Sequence, residues 1–197
     1  MHRLIAILRR IEPRAALVTT VEGLVDDGVR LLEITFDAPD AADDVRAVRE
    51  HLSARDHGGV LVGAGTVMTA AQLDAARSAG ASFAVSPVTD PRLIERSVDL
   101  GLPFLPGAMT PTEVAIGWGS GATFVKVFPA SSVGPMHLRD LHGPFREIEL
   151  VATGGVDGGN AADFISCGAV AVGVGSWLTG ATHEERRRLV TSLDRSV

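Results

Sequence analysis

Eight short apolar runs recur along the chain, each followed by a stretch with helical spacing, and no other feature restricts the fold as tightly. The runs are Leu4–Leu8, Leu31–Thr35, Val60–Ala64, Phe83–Ser86, Pro103–Leu105, Phe124–Phe128, Leu150–Thr153 and Ala169–Gly173. They lack strict alternation, which is how strands buried on both faces of a parallel sheet read. The intervening stretches carry helix start signals. Thr69 to Gln72 and Thr182 to Glu185 have capping-box spacing, Asp90-Pro91 places proline just after a cap, and Thr110-Pro111-Thr112-Glu113 combines both signals. Leu17, Val21, Leu24 and Val25 fall on one helical stripe, and Gly28, Gly80 and Gly168 follow the ends of helical patterns, where a left-handed residue is wanted.

Strand then helix, eight times over, is the α/β pattern of a single (β/α)8 TIM barrel. No proline-rich linker, low-complexity tract or long charge block divides residues 1–197, so one domain is expected, and with 197 residues its loops must be short. A doubly wound open sheet is the alternative. Gly63-Ala64-Gly65 after the third run does not complete the dinucleotide-binding fingerprint that such a sheet would favour.

An apolar content of 46% suffices for a buried core, and a net charge of −6 with scattered arginines argues against a nucleic-acid partner. The longest apolar runs fall far short of the ~20 residues of a membrane span, no secretory leader pattern opens the sequence, and a lone cysteine, Cys167, cannot close an intrachain disulfide. The expectation is a soluble cytoplasmic protein with no membrane partner. Of the 18 basic residues, 17 are arginine and one, Lys126, is lysine. Arginine can do most of what lysine does on a surface, but it stays protonated and cannot act as an amine nucleophile.

In a closed barrel of this kind the active site forms at the C-terminal ends of the strands. Those ends carry Arg9, Glu33 with Thr35, Thr66, Ser86-Pro87, Pro106-Gly107, Lys126, Thr153-Gly154-Gly155 and Gly175-Ser176. Lys126 shares a strand face with Phe124 and Phe128. Apolar burial lowers a lysine's pKa and makes a neutral amine accessible, whose best chemistry is imine formation with a carbonyl. The bland alternative is an ion pair with Glu33. That residue is the one carboxylate inside a strand run and can serve as counter-ion, as general acid and base, or as each in turn, with a pair formed in the resting state. The two glycine turns after the last two strands offer bare backbone N–H groups of the kind that close around phosphate, or are simply tight turns. Six histidines show no metal-ligand spacing, so no metal site is assigned. Cys167, Trp118 and Trp177 read as packing residues. Ser86 and Ser176 lack a histidine in triad relation, which sets serine-nucleophile chemistry aside.

With these residues placed, the chain resembles the class I 2-dehydro-3-deoxy-phosphogluconate (KDPG) and 4-hydroxy-2-oxoglutarate (KHG) aldolases. The motifs run in order: Ile5-Ala6-Ile7-Leu8-Arg9, Leu32-Glu33-Ile34-Thr35, Gly63-Ala64-Gly65-Thr66-Val67, Ser86-Pro87, Pro106-Gly107, Phe124-Val125-Lys126-Val127-Phe128-Pro129-Ala130, Gly143-Pro144-Phe145, Thr153-Gly154-Gly155 and Gly173-Val174-Gly175-Ser176. The resemblance implies that Lys126 forms a Schiff base with a 2-oxo acid and that Glu33 shuttles protons. It further implies that Thr66, Pro87 and Thr153 line a pyruvate-sized pocket, while Gly154, Gly155, Gly175 and Ser176 hold a distal phosphate. A cofactor-free homotrimer is expected on the same ground, yielding pyruvate from a 2-keto-3-deoxy (phospho)sugar acid of the gluconate or galactonate series, or from 4-hydroxy-2-oxoglutarate.

Two departures from the family pattern stand out. Relatives specific for the phosphogluconate substrate often carry arginine two positions after the strand-two threonine, to meet the substrate carboxylate; here Asp37 stands there, and Arg9 is the candidate replacement. The family's N-terminal helix, which plugs the barrel floor, is also missing, since the first strand begins by Leu4, so the floor should be exposed or covered by a neighbouring subunit. Two other classes remain open at this point. One is a phosphosugar isomerase or epimerase with Glu33 as base and Lys126 as an electrostatic stabiliser; the other is a non-catalytic sugar-phosphate binding barrel.

Overall fold

The computed structural model describes residues 2–194. Parallel strands alternate with helices in the order β1 (Leu4–Leu8), α1 (Arg14–Asp26), β2 (Leu31–Thr35), α2 (Ala41–Ala54), β3 (Leu61–Gly65), α3 (Ala70–Ser78), β4 (Ala84–Val85), α4 (Pro91–Asp99) and β5 (Phe104–Leu105). The second half runs β6 (Gly107–Ala108), α5 (Pro111–Gly119), β7 (Val125–Val127), a 3-10 turn at Ala130–Ser132, α6 (Pro135–His142), β8 (Leu150–Thr153), α7 (Ala161–Ser166), β9 (Ala171–Val174), α8 (Ser176–Gly180) and α9 (His183–Asp194).

Nine strands among the described residues correspond to the eight expected runs, because the fifth is broken. Proline offers no N–H to a ladder. At Pro106 the chain changes partners: β5 pairs with β4, whereas β6 pairs with β7. The sheet order β5-β4-β3-β2-β1-β9-β8-β7-β6 therefore begins and ends on the two halves of one strand, and the barrel closes through that proline. Elsewhere the expected strand limits shift by one or two residues, as at Leu61–Gly65 and Ala171–Val174.

The helix signals behave as their chemistry requires. Thr69 with Gln72 and Thr110 with Glu113 form reciprocal capping boxes, Thr182 and Glu185 bond each other in the same way, and Asp90 accepts from the Arg92 N–H ahead of α4. Leu17, Val21, Leu24 and Val25 are the buried stripe of α1. Gly28, Gly80 and Gly168 take φ of +99°, +83° and +109°, conformations that side-chain-bearing residues rarely adopt. Asp27, which ends α1, is buried and receives His183 Nδ1 at 2.9 Å, Arg186 Nε at 2.7 Å and Arg187 Nε at 3.0 Å, tying α9 to α1. Burial acts to raise its pKa, but His183 and Arg186 outweigh it and hold the carboxyl below the usual range.

Strand periodicity places the site. Residues two apart point to the same side, so Ile5, Phe83, Val85, Leu105, Val151 and Ala171 pack inside the barrel while Leu4, Ala6, Leu8 and Leu32 face the helices. Phe83 occupies the interior because Gly63 has no side chain to meet its ring. At the foot of this layer lies a cavity of ≈ 300 Å³, lined by residues that include Leu31, Phe124 and Val151. One step above the apolar layer, Leu31 is succeeded by Glu33, Phe124 by Lys126 and Val151 by Thr153. No helix among the described residues is long and apolar enough to cross a membrane.

Candidate active site

The C-terminal ends of the strands enclose a pocket of ≈ 350 Å³. It gathers every site residue expected from the sequence: Arg9, Glu33, Thr66, Pro87, Lys126, Thr153, Gly154, Gly155, Gly175 and Ser176 all line it. They come from β1, β2, β3, β4, β7, β8 and β9 or the loops that follow, so only the closed barrel could assemble them.

Lys126 is 5% exposed, and its Nζ lies 4.8 Å from the centroid of the Phe128 ring. Burial pushes its pKa down, with the nearby Arg9 charge adding to that and Glu33 opposing it. Glu33 is 3% exposed; burial pushes its pKa up, against the pull of Lys126 and Arg9. The two groups feel each other's charge, yet the direct ion pair expected at rest is not among the contacts within 4 Å that the described residues make. A gap between amine and carboxylate leaves room for the reacting carbons of a ligand, or for a water that relays a proton.

Gly65 makes the Glu33 position possible, since a Cβ there would overlap the Glu33 carboxylate and its stem. Gly173 similarly clears space for Thr153 and Ile7. Thr66 has φ +56°, a left-handed conformation that is an outlier for a β-branched residue, and its hydroxyl accepts a 3.1 Å bond from Arg9 Nη2. Strain of this kind is stored where geometry must be fixed.

At the other end of the pocket Gly154 and Gly155 have φ of +93° and +71°, and a Cβ on Gly155 would collide with the Ser131 side chain. The loop is fastened by Asn160 Nδ2 donating to the Gly155 carbonyl at 3.0 Å. Ser176 opens α8 across from it. Sequence reasoning missed two residues here. Asp157 lines this end, with Oδ1 accepting from the backbone N–H groups of Gly159 (2.8 Å) and Asn160 (3.2 Å). Trp177, read as packing, also lines the pocket while resting against Gly158. The Asp-x-Gly spacing of a side-chain turn could have flagged Asp157; nothing in the sequence points Trp177 inward. Among the described residues no group of three histidine, cysteine or carboxylate side chains is placed to hold a metal ion.

Fold and site together define a (β/α)8-barrel enzyme with a buried amine and a buried carboxylate facing one pocket. The family described as "Aldolase: KDPG and KHG aldolase" matches residues 1–191, and the chain belongs to it. It is 34% identical over 175 residues to the 2-dehydro-3-deoxy-phosphogluconate aldolase of Treponema pallidum, covering 88% of this chain and 80% of that one. It is also 34% identical over 185 residues to the 2-dehydro-3-deoxy-6-phosphogalactonate aldolase of Escherichia coli, covering 93% and 88%. The solved KDPG aldolase of Legionella pneumophila, with pyruvate captured as a covalent carbinolamine, superposes with a TM-score of 0.82 at 28% identity, covering 98% and 92%. The protein is accordingly an aldolase, a lyase acting on a carbon–carbon bond.

Proposed function

We propose that this aldolase cleaves 2-dehydro-3-deoxy-6-phosphogluconate, or a closely related 2-keto-3-deoxy sugar acid, to pyruvate and glyceraldehyde 3-phosphate through a Schiff base on Lys126. The carrying observation is that the chain's one lysine is buried in the pocket with its pKa pushed down, opposite a carboxyl whose pKa is pushed up. Neutral Lys126 attacks the C2 carbonyl, and loss of water from the resulting carbinolamine gives a protonated imine. Glu33 takes the C4 hydroxyl proton, the C3–C4 bond breaks, and its electron pair passes into the imine as the aldehyde leaves. The enamine regains a proton at C3, and water releases pyruvate and the amine. Thr66, Pro87 and Thr153 border the pyruvate moiety, Arg9 receives its carboxylate, and Gly154, Gly155, Gly175 and Ser176 hold the distal phosphate.

One observation favours a second reading, a sugar acid with an unphosphorylated distal end. The lining cations are Arg9 and Lys126, both at the carboxylate end, whereas Asp157 brings a negative charge to the other. Steady-state comparison of the two substrate forms decides between them. At least a 10²-fold advantage in kcat/KM for the phosphorylated acid, about 2.7 kcal/mol, is expected of a built phosphate site; parity would transfer the assignment to the unphosphorylated acid.

The same reading makes the protein a cytoplasmic homotrimer, in keeping with its buried free thiol, Cys167. Met68, Val88 and Met136 are 46%, 42% and 53% exposed. Ser86 Oγ joins the first two by contacting Met68 Sδ and the Val88 N–H, and His137, beside Met136, bonds the Met109 carbonyl at 2.7 Å. Exposed apolar side chains of this size, two of them joined through Ser86, suit a subunit contact. Sedimentation equilibrium should give the mass of three chains, with Val88→Glu shifting the protein toward monomer; a parent protein that sediments as a monomer defeats the assignment.

A further inference from the structure

We propose that Asp37 is a positioning residue that pins the Arg9 guanidinium at the pocket mouth, so that Arg9 meets the carboxylate of a 2-oxo acid already oriented. The proposal rests on the reading of Arg9 as the carboxylate receptor and explains why a carboxylate occupies a position where relatives often place the receiving cation itself.

Arg9 follows β1 and its side chain is 55% exposed. A long cation with that much solvent around it ordinarily samples many rotamers, and freezing it on binding costs affinity. Here it is fixed beforehand at two points. Nη1 donates to Asp37 Oδ2 at 2.6 Å and Nη2 to Thr66 Oγ1 at 3.1 Å, which draws together the ends of three successive strands. The guanidinium has five N–H groups. Two serve these bonds, and the remaining three can grip a carboxylate in the planar, two-toothed manner that arginine favours.

Asp37 is itself immobilised. Arg10 Nε lies 3.3 Å from the same Oδ2, and Arg10 Nη2 donates to the Asp37 carbonyl at 2.8 Å. Adjacent residues of an extended chain send their side chains to opposite faces, so two successive arginines could not ordinarily converge on one acid. Arg10 manages it with φ +48°, and Thr66, the other anchor of Arg9, has φ +56°. Left-handed backbone at two non-glycine residues around one carboxylate marks a corner that is over-determined by its surroundings. Two cations against one acid leave the corner with a net positive charge. Asp37 therefore orients Arg9 without cancelling what attracts an anionic substrate.

The test is a double-mutant cycle read in pyruvate KM and kcat for the addition direction, with the pyruvate concentration needed for half-maximal borohydride trapping as an independent binding readout. Asp37→Ala should raise KM and the half-trapping concentration about tenfold, the scale of freezing one rotamer-rich side chain, with kcat changed less than twofold. Asp37→Asn, which keeps an acceptor oxygen, should fall between parent and Asp37→Ala and guards against an alanine variant that folds poorly. In an Arg9→Met background, Asp37→Ala should leave KM where Arg9→Met alone puts it. If Arg9→Met raises KM while Asp37→Ala does not, or if Asp37→Ala raises KM equally in both backgrounds or lowers kcat in parallel, the positioning role is overturned and Arg9 keeps its own. If Arg9→Met leaves KM unchanged, the reading of Arg9 fails and takes this proposal with it.

Discussion

Lys126→Arg is expected to keep the fold and lose turnover by about four orders of magnitude or more, the scale on which removal of a covalent nucleophile acts. Arginine preserves the charge, but a guanidinium stays protonated at working pH and forms no imine. In the parent protein, borohydride with pyruvate should place a reduced adduct on the peptide containing Lys126, found by mass spectrometry; the Arg variant should carry none. An enzyme that uses this cation only to stabilise charge, as an isomerase or epimerase on the same barrel would, predicts the reverse: turnover without trapping, partly kept by arginine. Lys126→Met serves as the folding control. It keeps the side-chain volume and likewise forms no imine; because it leaves the buried Glu33 carboxyl without its cation its melting temperature should fall, while its far-ultraviolet circular dichroism should match the parent's. An active parent protein with no adduct on that peptide ends the Schiff-base assignment.

Glu33→Gln is the second large effect expected, a loss of about 10² to 10⁴ in kcat, as for other positioned proton-transfer groups. Imine formation in the proposed scheme needs the neutral Lys126 amine and no proton taken up by Glu33, so the pyruvate adduct should still form, separating proton shuttle from nucleophile. The pH profile carries an independent signature. In the parent, kcat/KM should rise with pH as Lys126 loses its proton, along a limb below the ordinary lysine value because burial lowers that pKa. The Glu33 charge opposes the lowering by stabilising the ammonium. Removing the carboxylate removes that support, so the limb moves to lower pH in Glu33→Gln. A limb that stays in place, or moves upward, contradicts the through-space coupling of the pair.

Much of this architecture can be read from residue patterns because the constraints are local. Runs buried on both faces identify strands, capping boxes at Thr69 and Thr110 identify helix starts, and the strand period alone puts Lys126 above Phe124 and Glu33 above Leu31 on the inner wall. The singularity of Lys126 is visible by counting. Other features depend on partners distant in sequence. Nothing local in Pro103–Leu105 announces that the fifth strand breaks at Pro106 to serve a different neighbour on each side; closing the ring decides it. Asp37 reads as a missing arginine until Arg9, Arg10 and Thr66 are brought around it. The expected contact between Lys126 and Glu33 gives way to a gap, because strand register fixes where two stems begin and not how far their heads reach.

The buried Asp27 carries a consequence for how the protein is made. Its carboxylate belongs to the first helix, whereas the groups that neutralise it, His183, Arg186 and Arg187, belong to the last. During synthesis the acid leaves the ribosome long before its partners, and until they arrive its desolvation has no compensation. Burial of the surface between α1 and α9 must therefore await nearly the whole chain. A polypeptide that stops after α8 would retain every strand, the β1–β9 pairing and all the proposed chemistry, yet leave Asp27 without the three partners through which the last helix clasps the first.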